Sequence, residues 1–272
     1  MHSRSRELAE LLDTTTSGEA ILFTGAGFSR GMRDRAGRAL PTSEEMSAEL
    51  WQQLFGAEPH DGSSLADLFD VALQRDRDAV RRYLDERLTV ADDVPWHVAA
   101  WLAAPWRRIY TLNVDDVEAA VARCCQLPHR LVSVSALAVD RADPRPSSDG
   151  AVEVVHLNGM VGHDVDHVTF STLQYAARLC DRQPAYEQLA LDLEHAPFVF
   201  VGTTLDEAVL WQHVIERRAP DHAPPRPRSF LVARSLTRAR GILLQTFGIT
   251  WLELSAEDAA AALFDAAPGA MR

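Results

Sequence analysis

The stretch that decides the fold is AILFTGAGFSR, which runs from Ala20 to Arg30. Its apolar residues lead into a Gly-Ala-Gly turn, and a short apolar run bounded by glycine is typical of a buried strand in a parallel sheet. Gly25 and Gly27 allow close approach of a ligand and positive φ at little cost. A helix beginning after this turn would present free N–H groups to a diphosphate. A tight turn without a ligand remains the alternative, because Arg30 stands where the dinucleotide fingerprint has its third glycine.

Charge and composition exclude several classes of function. The chain has 272 residues and a formal net charge of −12, and all 27 of its basic residues are arginine. The negative charge argues against direct nucleic-acid binding, which needs a basic surface. Because there is no lysine, a Walker-type phosphate loop and pyridoxal Schiff-base chemistry are both excluded.

The cysteines predict a reducing environment and no zinc module. Cys124, Cys125 and Cys180 are odd in number and contain no Cys-x-x-Cys pair, so a four-cysteine zinc site is impossible. The N-terminal residues lack an apolar signal segment, and no apolar run approaches membrane-spanning length. We therefore expect a soluble, cytoplasmic protein without membrane contact and without a metal ligand set.

The residues flanking the first strand favour helices. Residues 4–13 have the spacing of a short amphipathic helix, and residues 30–41, rich in arginine and glycine, predict an exposed, mobile loop. Thr42 with Glu45 has capping-box spacing. The apolar positions that follow keep a helical period, which predicts a helical insertion over about residues 42–105.

Beyond the insertion, strands alternate with helices. Six further short apolar runs predict strands at residues 108–112, 131–134, 152–155, 198–201, 230–233 and 249–254. Helices are expected after residue 116, as a second small helical segment at about 171–194, from 206 to about 217, at 236–246 and at the C-terminal end, with loops at 140–150 and 219–227. This alternation predicts a single α/β domain spanning 1–272, with a Rossmann-like parallel sheet covered by helices on both faces.

Unusual polar residues follow four of these strands. Asn113 and Asp115 follow the second strand, His156 and Asn158 end the fourth, and Gly202–Asp206 follow the fifth. In such sheets ligands bind beyond the carboxyl ends of the strands. We therefore expect these residues and the Gly-Ala-Gly turn to converge on one crevice.

Four segments at these strand ends resemble, in order, the nucleotide-binding and catalytic motifs of sirtuins over about residues 18–255. The segments are Gly25-Ala26-Gly27-Phe28-Ser29, Thr111-Leu112-Asn113-Val114-Asp115, Val155-His156-Leu157-Asn158-Gly159 and Gly202-Thr203-Thr204-Leu205. The sirtuin zinc module is missing, and the arginine-rich loop ending at Pro41 replaces the segment that helps to form the acyl-peptide groove. In these departures the chain is more similar to the sirtuin-like NAD-cleaving domains of bacterial antiviral-defence proteins.

The resemblance implies NAD+ as the substrate and cleavage of its nicotinamide–ribose bond, to give ADP-ribose or a cyclic product and to deplete NAD in an infected cell. It also implies control by a homo-oligomer, a partner subunit or a fused sensor domain. Gly25 to Ser29 would hold the diphosphate, and Gly202, Thr203 and Thr204 the adenosine side. Asn113 could bind a ribose hydroxyl or position water. Asp115 could hold the carboxamide of nicotinamide, or cap the next helix.

Two residues compete for the catalytic histidine position. A gapless match puts Asn158 there, and His156 lies two residues earlier, on the same face of an extended strand. We expect His156 to act as the base, since its pKa is near neutrality. Alternatively, His156 is a satisfied buried histidine and the domain binds NAD or ADP-ribose without cleaving it. A protein deacylase is a third possibility, which the missing zinc module disfavours.

Overall fold

The chain folds around one parallel sheet. The computed structural model describes residues 2–137, 150–180, 183–206, 210–211 and 226–266. Within these ranges it contains a seven-stranded, all-parallel sheet and ten α-helices, which confirms the predicted Rossmann-like α/β class. The predicted loops at 140–150 and 219–227 and the predicted helix from 206 to 217 lie largely outside the described residues. None of the helices described is long and apolar enough to cross a membrane.

The order of the strands places a switch point in the middle of the sheet. The strands are β1 (Ile21–Thr24), β2 (Arg108–Thr111), β3 (Leu131–Ser135), β4 (Val152–His156), β5 (Phe198–Val201), β6 (Ser229–Ala233) and β7 (Ile249–Glu253). They lie in the order β3-β4-β2-β1-β5-β6-β7. Strands β2 to β4 lie on one side of β1, and β5 begins the other side. The side of the sheet to which successive strands are added therefore changes between β1 and β5. Open α/β sheets form their ligand crevice at this point.

Helices cover both faces of the sheet. They are α1 (His2–Thr16), α2 (Ser43–Phe55), α3 (Leu65–Arg75), α4 (Arg77–Leu88), α5 (Trp96–Ala103), α6 (Val117–Cys124), α7 (Thr172–Cys180), α8 (Pro184–His195), α9 (Arg238–Gln245) and α10 (Ala256–Ala266). Because side chains alternate along a strand, Leu22 packs with residues of α1, α5, α6 and α10, whereas Ile21 and Phe23 pack with residues of α8 and α9. The side chains of Ile21, Leu22 and Phe23 are all fully buried.

Four helices, α2 to α5, occupy the range predicted for the helical insertion. Helices α2 to α4 share a separate hydrophobic cluster, and the predicted Thr42–Glu45 capping box is present. Trp101 of α5 instead packs in the main core beside the sheet, so α5 belongs to the crossover between β1 and β2. The insertion cluster also contains Val114 and Val161, which follow β2 and β4. The insertion therefore packs against the carboxyl ends of these two strands.

Most of the segment at 30–41 is exposed, as its composition predicted, but a buried carboxylate fastens it to the fold. The side chain of Asp34 is fully buried and accepts hydrogen bonds from the backbone N–H groups of Ala36 and Arg38, at 3.0 and 2.9 Å. It also contacts the guanidinium groups of Arg38 and Arg87, at 2.7 and 2.5 Å. Met32 in the same segment is fully buried. Composition could not reveal this arrangement, since Arg87 lies far away in sequence, on α4.

Replacing Asp34 by alanine should destabilise the protein by about 3 kcal/mol, because the buried Arg87 loses a charged partner. Urea unfolding followed by circular dichroism measures the change. Asp78→Ala is the matched control, since Asp78 forms an exposed pair with Arg81 and its loss should have little effect. Equal effects of the two substitutions would contradict the proposed importance of the buried network.

The difference in stability between wild type and Asp34→Ala should depend on pH. Burial by itself raises the pKa of Asp34, but its hydrogen bonds from Arg38 and Arg87 lower that pKa more, so the net shift is downward from 3.8. The ionised carboxylate therefore stabilises the fold above pH 3.8, and this contribution is lost as the pH falls through the lowered pKa. The difference in free energy of unfolding between wild type and Asp34→Ala should shrink in acid.

Candidate functional site

A cavity of about 700 Å³ opens at the carboxyl edge of the sheet, over the switch point between β1 and β5. Its wall is formed by residues at or just beyond the carboxyl ends of six of the seven strands, together with His97 of α5. Eight residues predicted for the site lie in this wall: Gly25, Ala26, Gly27, Asn113, Asn158, Gly202, Thr203 and Thr204. Its volume falls within the range of small-molecule and cofactor sites.

The glycines of the first turn allow the backbone to pack closely against the end of β5. The N–H of Gly27 donates to the carbonyl of Gly202, at 2.9 Å. A Cβ on Gly202 would lie 2.1 Å from the backbone nitrogen of Phe28, and Gly202 has φ +71°. The positive φ expected for Gly25 and Gly27 is found at Gly202 instead, since Gly25 has φ −131° and Gly27 is not among the positive-φ residues.

The chain after the turn does not continue into a regular helix. It forms a single 3-10 turn over Ala26–Phe28, so no helix N-terminus faces the cavity from this strand. The N–H groups of Gly25, Gly27 and Phe28 are hydrogen-bonded to backbone carbonyls of the protein. The Phe28 side chain packs in the main core and is not part of the cavity wall. The turn therefore shapes the floor of the cavity by close packing.

A chain of short hydrogen bonds orients the side chain of Asn113. Its Nδ2 donates to Ser29 Oγ at 2.7 Å, and Ser29 Oγ donates to Asp115 Oδ2 at 2.7 Å. When Asp115 is ionised, the Ser29 proton goes to the carboxylate and Ser29 accepts from Asn113, which fixes the orientation of the amide. Among the described residues, no hydrogen bond reaches Asn113 Oδ1. This oxygen is left to accept a hydrogen bond from a ligand.

Asp115 lies behind the cavity wall. Its carboxylate is buried and accepts from the Ser29 hydroxyl, whereas the N-cap residue of α6 is Asp116, which makes no side-chain cap hydrogen bond. Burial raises the pKa of Asp115 to about 7, against the opposing effect of the Ser29 hydrogen bond. Asp115 and Ser29 therefore support Asn113, and neither belongs to the cavity wall.

His156 does not enter the cavity. Its side chain is fully buried, with Nδ1 at 2.9 Å from the backbone carbonyl of Asn113 and Nε2 at 2.9 Å from Glu118 Oε1. Both ring nitrogens are thus engaged by protein oxygens. The expectation that His156 points into the crevice as a base does not agree with this geometry, which matches the alternative of a satisfied buried histidine.

Glu118 is the partner that sequence reasoning missed. It lies in the first turn of α6 and is only 4% exposed, with Ser133 Oγ donating to its Oε1 at 2.5 Å. Burial alone raises the pKa of Glu118, but the charge and hydrogen bond of His156 lower it more, so its pKa is below the usual value. An acidic residue in the first turn of a helix is common because of the helix dipole, so its sequence position carried no distinctive signal.

Asn158, the other candidate for the catalytic position, is in the cavity wall, but both polar atoms of its side chain are hydrogen-bonded within the protein. Its Nδ2 donates to the carbonyl of Leu112 at 3.0 Å, and its Oδ1 accepts from Arg178 at 2.9 Å. Arg178 is itself buried and donates to Thr169 Oγ1 and to the carbonyl of Leu157. The position that resembles the catalytic histidine of sirtuins therefore carries a fixed neutral amide.

Charged residues line the remainder of the cavity, and of these only Asp206 was among the residues expected at the crevice. Arg30 and Arg234 are exposed cations in the wall, and Asp206 and Glu257 are exposed carboxylates. Arg234 directly follows β6, and Glu257 lies in the first turn of α10, after β7, so their position after predicted strands was the signal that could have identified them. Among the described residues, no group of three or more His, Cys, Asp or Glu side chains could hold a metal ion.

Comparisons with known proteins do not assign a family. No protein-family model matches the chain, and the search of curated proteins returned no match. The sirtuin-like identity therefore stays a prediction from the four motifs.

Gly202→Ala should disrupt the contact between β1 and β5, because its Cβ would overlap the backbone at Phe28. Gly31→Ala is the matched control: Gly31 also lines the cavity with positive φ, +90°, but a Cβ there has no atom within 4 Å. The control should lower the free energy of unfolding by roughly 1 kcal/mol through backbone strain. Gly202→Ala should lower it clearly more. Thermal unfolding measures both, and equal losses would contradict the close contact.

Asp115→Asn should stabilise the protein increasingly as the pH rises from about 4 to about 7. Because the pKa of Asp115 is raised to about 7 in the fold from 3.8, the unfolded chain loses this proton first and wild-type stability falls over that interval. The difference between variant and wild type should grow by roughly 4 kcal/mol at most. Urea unfolding at a series of pH values measures it, and a constant difference would contradict the raised pKa.

Proposed function

We propose that the cavity binds a dinucleotide of the NAD type and that the protein hydrolyses its nicotinamide–ribose bond. The observation that carries the proposal is the cavity of about 700 Å³ over the switch point, whose wall combines the Gly-Ala-Gly turn, Asn113 and Gly202–Thr204. Open parallel sheets bind dinucleotides across this point. The order of the four sirtuin-like motifs along the chain supports the same ligand.

The wall offers suitable groups for each part of such a ligand. Arg30 and Arg234 supply positive charge for a diphosphate, and the hydroxyl groups of Thr203 and Thr204 can pair with ribose or adenine. The Asn113 amide oxygen lies on the opposite side of the switch point, after β2. It is suited to accept a hydrogen bond from a ribose hydroxyl or from the attacking water.

The proposed chemistry does not require an imidazole base. The bond between nicotinamide and ribose breaks through an oxocarbenium-like state, as in glycoside hydrolysis. Water then adds to the ribose carbon, so NAD+ and water give ADP-ribose, nicotinamide and a proton. Asn113 would orient the water or the ribose, and the water would release its proton to solvent. Cyclisation by an internal hydroxyl is the other possible outcome of the same cleavage.

Binding without turnover is the second candidate function. It is favoured by the fixed Asn158 amide at the position of the sirtuin histidine and by the enclosure of His156. Such a module would report NAD or ADP-ribose to a partner. The role in antiviral defence, and control by an oligomer, a partner subunit or a fused domain, rest on the resemblance alone.

The decisive experiment incubates the purified protein with NAD+ and follows nicotinamide by chromatography, with binding measured in parallel by calorimetry. Asn113→Ala should lower turnover by on the order of 100-fold with little change in the affinity for NAD+. Gln53→Ala, an exposed amide of α2 outside the cavity wall, is the control and should behave as wild type. Binding with NAD+ recovered intact would select the second candidate, and no binding would exclude both.

A further inference from the structure

We propose that His156 and Glu118 form a buried pair that positions Asn113 through its backbone carbonyl, so that His156 is a positioning residue and not a base. The inference rests on the proposed function of Asn113 in releasing nicotinamide. It assigns a role to Glu118, which none of the sirtuin-like motifs contains.

The contacts of the imidazole ring define its protonation. A backbone carbonyl can only accept, so Nδ1, at 2.9 Å from the Asn113 oxygen, must carry a proton. Nε2 lies 2.9 Å from the Glu118 carboxylate, and an ionised carboxylate also only accepts. With an ionised Glu118, both nitrogens therefore donate and the ring is an imidazolium.

The surroundings of the pair maintain this state. The groups that face it are the carboxylates of Glu118 and Asp115, the Ser133 hydroxyl and the Asn113 carbonyl. Burial by itself lowers the pKa of His156, but the charge and hydrogen bond of Glu118 outweigh it, so the pKa is raised above 6.5. A base that is enclosed, protonated and bonded at both nitrogens cannot accept a proton from a ligand in the cavity.

The consequence for Asn113 is that separate contacts fix its backbone carbonyl and its side chain, in addition to the hydrogen bond from its N–H to Thr111 Oγ1. His156 Nδ1 donates to the backbone carbonyl of Asn113, and Ser29 Oγ accepts from the side-chain nitrogen of Asn113. With both groups fixed, the side-chain oxygen of Asn113, Oδ1, keeps one orientation. A displacement of about 1 Å at a reacting group can cost on the order of 100-fold in rate, so losing the carbonyl contact should affect turnover more than binding.

Two amide substitutions separate the two contacts of His156. His156→Asn retains a donor near the position of Nδ1, which can reach the Asn113 carbonyl. His156→Gln retains a donor near the position of Nε2, which can reach residue 118. Both are made together with Glu118→Gln, so that no unpaired carboxylate remains in the core. The Glu118→Gln single variant is the parent for comparison.

The positioning role predicts different activities for the two double variants. With NAD+ as substrate, His156→Asn should retain most of the kcat of the parent, whereas His156→Gln should lose on the order of 100-fold with little change in KM. If His156 were the base, both variants should lose activity alike. Equal activities of the two variants, or losses that follow their unfolding temperatures, would overturn the proposal.

A measurement without substrate keeps the test independent of the proposed function. The ¹⁵N shifts of His156 at pH 7 should show both nitrogens protonated in wild type. The side-chain amide of Asn113 should stay protected from hydrogen exchange with His156→Asn and lose protection with His156→Gln. A neutral ring, or equal protection in both variants, would overturn the positioning role. If the wild type neither binds nor cleaves NAD+, the proposed function fails while these signals still decide the inference.

Discussion

The close contact between the ends of β1 and β5 is the constraint on which the site depends. The N–H of Gly27 meets the carbonyl of Gly202 at 2.9 Å, and neither backbone leaves room for a side chain between them. Since β1 and β5 lead the chain in opposite directions across the sheet, their following segments diverge from this point. The cavity lies between the diverging segments, with the glycine contact as its floor.

Beneath that floor, the carboxyl ends of β2 and β4 carry a buried layer of polar groups. Ser29 and Asp115 hold the side chain of Asn113, and His156 with Glu118 holds its backbone. Buried polar groups of this kind are costly unless every member is paired, and paired they make the local geometry rigid. The layer therefore contributes to the site by fixing the one amide oxygen at the cavity that the described residues leave available.

Local patterns were enough to predict most of the fold. The apolar run at Ile21–Phe23, the strand signals after it and the Thr42–Glu45 capping box agree with the structure because each depends on neighbours in sequence. The packing of α5 in the main core and the burial of Asp34 could not be predicted in this way. Trp101 and Asp34 are placed by packing and pairing with residues that are distant in the chain.

For the site, the sequence by itself determined which residue types stand at the carboxyl ends of the strands, because the alternation of strands and helices is encoded locally. It therefore predicted that Asn113, Asn158 and Gly202–Thr204 would meet at one crevice. Only the tertiary structure decided which side chains reach the cavity and which support it from below. His156 and Asn158 share a strand-end motif, yet a distant carboxylate, Glu118, engages His156 in the core, whereas Asn158 remains in the wall. His156 and Asn158 differ in this way because of burial and charge pairing between different helices and strands, which a local sequence pattern does not indicate.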